Sequence, residues 1–71
     1  MDDPLPIVAS NLRRLREEAG MSQDALADRA SMDPAEVRRI EGAQRDPGVR
    51  VLTRLARGLG AAPAALWAGV D

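Results

Sequence analysis

One stretch of twenty residues, Gln23 to Gly42 (QDALADRASMDPAEVRRIEG), limits what this chain can fold into more than any other. Leu26 and Ala30 stand four apart and Val37 and Ile40 three apart, so each half offers one apolar stripe at helical spacing. Ser31-Met32-Asp33-Pro34 interrupts that pattern. Asp33 suits an N-cap, Pro34 the first helical position, and Glu36 the far end of an Asp-x-x-Glu capping box. The stretch reads as two short helices meeting at a tight corner. Ala27 fits the crossing, where a bulky side chain would force the helices apart.

The helices on either side follow the same logic. Leu5 to Ala19 predicts a first helix with Val8, Leu12, Leu15 and Ala19 on one face, stopped by Gly20, while Asn11, Arg13, Arg14, Glu17 and Glu18 face outward. Ser22 caps the second helix, and the third runs from Pro34 to about Glu41. Asp46-Pro47 starts a fourth with Leu52, Leu55, Ala56 and Leu59 as its stripe, ended by Gly58 and Gly60. Pro63 opens a short fifth helix anchored by Leu66, Trp67 and Val70, which frays unless something packs on it because Ala62 is a poor cap. The expected fold is all-α: five short helices in one domain over residues 1–71, around Leu12, Leu15, Leu26, Val37, Ile40, Leu52, Leu55, Leu59 and Trp67.

A chain of 71 residues buries only about 60% of its unfolded surface, so its stability margin is thin. With no Cys and no His, neither disulfides nor the usual zinc ligands add support, and no metal or cofactor is expected. The same absence removes the nucleophile-base pairs of hydrolases and leaves Ser10, Ser22, Ser31 and Thr53 without an obvious base. Asp2-Asp3 and Glu17-Glu18 are sequence neighbours that diverge on a helix, and they read as solvated surface. Gly58-x-Gly60 follows a helix where a phosphate loop must follow a strand. An enzyme is not expected, nor is a small-molecule ligand. Met-Asp-Asp-Pro lacks the positive start of a secretory signal, and the weakly polar run Gly60 to Val70 is too short to span a bilayer, so the expected location is cytoplasmic.

The net charge of −1 argues against bulk attraction to nucleic acid, but all ten basic residues are Arg, and several lie in or near the third helix. The positions of Leu26, Ala27, Ala30, Met32, Val37 and Ile40, with Gln23 opening the second helix, resemble the helix-turn-helix of the Cro and phage-repressor type, the Xre-like DNA-binding regulators. The resemblance runs from about Leu12 to Trp67 through LREEAGMSQ at 15–23, IEG at 40–42, RDP at 45–47 and LARGLGA at 55–61. It departs at the corner, where the family often has Gly and this chain has Ser31. Either Ser31 takes a positive φ at some cost or the turn differs.

The resemblance implies a lambda-repressor-like domain that binds double-stranded DNA with its third helix in the major groove. Pro34, Ala35, Glu36, Arg38 and Arg39 then fall at base-reading positions, Arg39 foremost. Arg bridges guanine O6 and N7, Glu accepts from the cytosine amino group and Ala meets a thymine methyl. Ser22, Gln23, Gln44 and Arg45 match the family's phosphate-contacting positions. Arg16 and Glu41 match a salt bridge that orients the reading helix. If exposed, such a pair contributes only about 0–1 kcal/mol.

The family's two-fold binding to inverted repeats implies a homodimer, with Leu66 and Val70 of the C-terminal helix at its contact; the alternative is that they cover the domain's own core. The expected function is sequence-specific transcription regulation, such as repression from an operator, controlled by the protein's own concentration. The rival expectations are an antitoxin- or adaptor-like interaction module without DNA binding, or the DNA-binding fragment of a larger regulator.

Overall fold

The computed structural model describes residues 3–71, and among them it forms four α-helices, one 3-10 turn and no strand. α1 spans Leu5–Glu18, α2 Gln23–Arg29, α3 Pro34–Glu41 and α4 Gly48–Leu59, and the 3-10 turn covers Pro63–Trp67. The expected fifth helix is thus a correction. Ala62 offers no side-chain cap, and Gly69 turns the chain at positive φ just beyond, so only a short, tighter coil winds there. Of the acidic pair at the start, Asp2 lies outside the described residues, while Asp3 Oδ1 accepts from the Leu5 N–H at 2.9 Å.

The caps at the corner form where the sequence places them. Ser22 Oγ accepts from the Ala25 N–H at 3.0 Å, and Asp33 Oδ1 from the Ala35 N–H at 2.8 Å. The capping box does not close, because the Glu36 carboxylate turns outward to two arginines. Asp46 Oδ1 accepts from the Gly48 N–H at 3.1 Å and starts α4. Gly58 does not end that helix: it is buried within it, where a Cβ would stand 3.2 Å from Leu26 Cδ1, so its lack of a side chain lets α4 lie close against α2. The stop is Gly60, at φ 69°, a left-handed conformation that glycine adopts without steric cost.

The core joins every element. Val8, Ala9 and Leu12 of α1 meet Leu26, Ala27 and Ala30, Val37 and Ile40, Leu52, Leu55 and Ala56, with Leu66 closing the end. α2 packs against both α3 and α4, and the 3-10 turn lies on α1 and α4. Leu15 and Leu59 are only half-buried, and Ala19 is exposed because α1 stops one residue before it. Trp67, expected as a core plug, is 42% exposed. Leu66 fills the core in its place, and Trp67 faces Pro4, Leu5 and Pro47 across a shallow cleft. Asn11 does not face outward either: its Nδ2 donates to the carbonyls of Leu66 at 2.9 Å and Ala68 at 2.8 Å, fastening the turn to α1.

Ser31 settles the question raised by its departure from Gly. It sits at φ 55° directly after α2, and the Met32 N–H reaches back to the Ala27 carbonyl at 2.9 Å. The left-handed turn is kept and the side chain bears its cost. Ser31→Gly should therefore stabilise the fold by about 0.5–1 kcal/mol, after allowing for the looser unfolded chain. Thermal melting should show a rise of about 2–8 °C in a domain of this size.

Candidate nucleic-acid interface

The corner is held from two sides. Arg54 of α4 reaches the turn between α2 and α3, where its Nε donates to the Ala30 carbonyl at 3.1 Å and its Nη2 donates to the Ser31 carbonyl. Those carbonyls have no partner inside α2, so one guanidinium satisfies the helix end and pins the strained turn.

On the other side Arg16 of α1 grips Glu41 at the end of α3. Arg16 Nε lies 2.6 Å from Glu41 Oε2 and Nη2 3.0 Å from Oε1, a bidentate pair. The two side chains are only 12% and 4% exposed. The pair is largely covered and still borders solvent, so it contributes more than a fully exposed pair would. Arg16 Nη1 also donates to the Met21 carbonyl at 2.8 Å, and Gln23 Nε2 donates to Glu41 Oε1 at 3.1 Å. The hydrogen bond to Glu41, with its charge, raises the Arg16 pKa above the ordinary guanidinium value, against burial, which lowers it. These contacts tie α1 to the end of α3.

With Val37 and Ile40 buried inward, α3 turns its other face to solvent. Arg38 and Arg39 stand there with side chains 57% and 55% exposed. Pro34 and Ala35 are half-buried at the start of the helix. Glu36 is more covered, at 24%, and both of its oxygens are engaged: Oε1 with Arg39 Nη1 at 3.1 Å and Oε2 with Arg45 Nε at 3.0 Å. Arg38 has only a loose partner, Asp24 at 3.9 Å.

The expected phosphate residues do not all keep their side chains free. Ser22 is an exposed cap, and Gln44 is exposed in the loop after α3. The Gln23 amide is turned toward Glu41, and the Arg45 guanidinium toward Glu36. An open groove lined by Arg13, Arg16, Ser22, Gln23, Arg38 and Glu41 connects the start of α2 to the exposed side of α3. Arg13, an outward charge by the helical pattern, also lines this groove; its position three residues before Arg16, on the same side of α1, is the signal that places it there. Leu66, expected at a dimer contact, is wholly buried in its own core and cannot touch a partner there. Val70 is half-buried against that core.

A helical corner with one helix packed inward and the next presenting a basic face is the form of a helix-turn-helix DNA-binding domain. A family model described as a helix-turn-helix domain matches residues 8–67, and the chain belongs to that family, among the Xre-like regulators. No match emerges among curated proteins.

Several solved structures share the fold. The restriction-modification controller protein C.AhdI from Aeromonas hydrophila is 32% identical, with a TM-score of 0.85 over 87% of this chain and 94% of that one. An HTH_3 family transcriptional regulator from Vibrio cholerae is 30% identical, with a TM-score of 0.88 over 94% of this chain and 38% of that one. The hypothetical transcription factor NHTF from Neisseria is 28% identical, with a TM-score of 0.86 over 90% of this chain and 74% of that one. The chain thus has the DNA-binding fold of transcriptional regulators and restriction-modification controllers. No helix among the described residues is long and apolar enough to cross a membrane.

Proposed function

We propose that this chain is a sequence-specific transcriptional regulator, not an enzyme, that lays α3 in the major groove of an operator and acts in the cytoplasm on the nucleoid. The observation that carries the proposal is the pair Arg38 and Arg39, more than half exposed on a helix whose angle is set by the Arg16–Glu41 pair. Arg39, then Arg38, reads guanine; Ala35 and Pro34 lie against the groove wall; and Ser22, Gln23, Gln44 and Arg45 hold phosphates, Gln23 through its backbone. Residues 1–71 act as one DNA-binding domain.

A homodimer on an inverted repeat follows from the low affinity of a single half-site, with recognition helices about 34 Å apart. Its contact draws on Val70 and on the partly exposed Trp67 and Ile7, where apolar surface is left over. Bound there, the protein represses or activates by occupying promoter-proximal DNA.

The test is selection of bound sequences from a random duplex pool, followed by titration of the selected duplex. Arg39→Ala should weaken specific binding by about 1–3 kcal/mol while thermal melting stays within about 0.5 kcal/mol of the parent. A pool that yields no preferred sequence, or a log K against log salt slope near zero, would sink the reading. The engagement of Arg39 and Arg45 by Glu36 gives some support to the rival interaction module, which predicts a dedicated partner indifferent to Arg38 and Arg39.

A further inference from the structure

We infer that Glu36 is an internal counter-ion that sets the specificity of α3 by holding Arg39 and Arg45 back from DNA of the wrong sequence. The inference rests on the DNA-reading proposal above and adds a role that the capping box and direct cytosine contact do not contain. One carboxylate spans two guanidiniums that come from different segments, Arg39 from α3 and Arg45 from the following loop. Arg39 Nη1 donates a hydrogen bond to Oε1 at 3.1 Å, and Arg45 Nε stands 3.0 Å from Oε2 as an ion pair. Glu36 is thereby placed as a phosphate would be, between the side chain expected to read a base and the one expected to grip the backbone.

The consequence differs between right and wrong DNA. On an arbitrary sequence, Arg39 and Arg45 have only phosphates to gain, and each phosphate must displace an equivalent negative group that is already in position. The released carboxylate then remains close to the phosphates it was displaced by and repels them. On the operator, Arg39 gains the two acceptors of a guanine edge, and Glu36 can accept from a neighbouring cytosine amino group, so the exchange is offset there and nowhere else. Arg38, whose nearest carboxylate is 3.9 Å away, carries no such restraint. In a chain with a net charge of −1, the device acts on two of ten arginines, one at a base-reading and one at a phosphate position.

The experiment compares the parent with Glu36→Gln by fluorescence anisotropy on the selected duplex and on a scrambled duplex, across a range of salt. Glu36→Gln keeps the shape of the side chain and removes its charge. It should bind the scrambled duplex about three- to tenfold more tightly near 0.1 M salt. The slope of log K against log salt should steepen by about one, and the preference for the selected duplex should fall. A role confined to bracing the helix would not steepen that slope. Glu36→Ala, which favours helix at this position, repeats the measurement if the first variant does not fold. If the parent prefers its selected duplex and neither variant gains affinity for the scrambled one, the inference is overturned and the DNA-reading proposal stands. If the parent binds neither duplex, both are overturned.

Discussion

Glu41→Ala is expected to lower the melting temperature by about 12–25 °C, as the loss of about 3 kcal/mol from a domain of this size. The value lies at the lower end for breaking a buried ion pair because Arg16 keeps its hydrogen bond to the Met21 carbonyl and a 12% exposed path to water. Even so, a fold of 71 residues holds a total of only about 4–10 kcal/mol, so the variant should be partly unfolded at modest temperature. The double variant Arg16→Met with Glu41→Leu should recover most of that stability, since it leaves no unpaired charge. It should not recover specific DNA binding, because the bidentate pair fixes the angle of α3 and an apolar contact fixes it less well. Circular dichroism and anisotropy together separate these outcomes. A drop of less than about 5 °C for Glu41→Ala would show that the pair is solvated and that α3 is oriented by its apolar face alone.

Leu66→Ala should cost about 2–5 kcal/mol, the loss of a wholly buried side chain together with the cavity it leaves. The location matters as much as the magnitude. Were Leu66 at a contact between two copies, the loss would depend on protein concentration; as part of the core it should be the same at every concentration. Denaturant titration at two widely separated concentrations checks this, with Trp67, the only tryptophan, as the reporter. A concentration-dependent loss would return Leu66 to the interface.

Much of the scaffold was legible because short-range chemistry decides it. Ser22 and Asp33 are caps in the sequence and caps in the fold, and the spacing of Leu26, Ala30, Val37 and Ile40 needs no distant partner to be read. What failed was long-range. The C-terminal segment was assigned its anchors by hydrophobicity, but which of Leu66 and Trp67 turns inward depends on a tight 3-10 coil fastened by Asn11, 55 residues away in sequence. Gly58 carries a helix-stop signal that the close packing of α4 on Leu26 overrides. On the exposed side of α3, Arg38 and Arg39 were visible as charges beside buried positions. The engagement of Glu36 by Arg39 and Arg45, of Gln23 by Glu41 and of Arg54 by the corner carbonyls was not, because each joins side chains to groups that sequence spacing alone does not bring together.

The choice of arginine at position 16 reaches beyond geometry. A lysine there would surrender its proton near pH ~10 and release α3 in alkaline conditions. The Arg16 guanidinium, with its proton affinity raised by Glu41, contributes its stabilisation from neutral pH up to the ordinary guanidinium value and on the alkaline side loses it as the pH climbs past its own, still higher one. The tilt of α3 is therefore insensitive to moderate alkalinity, and a rise in pH that would discharge an amine at this position leaves the joint closed.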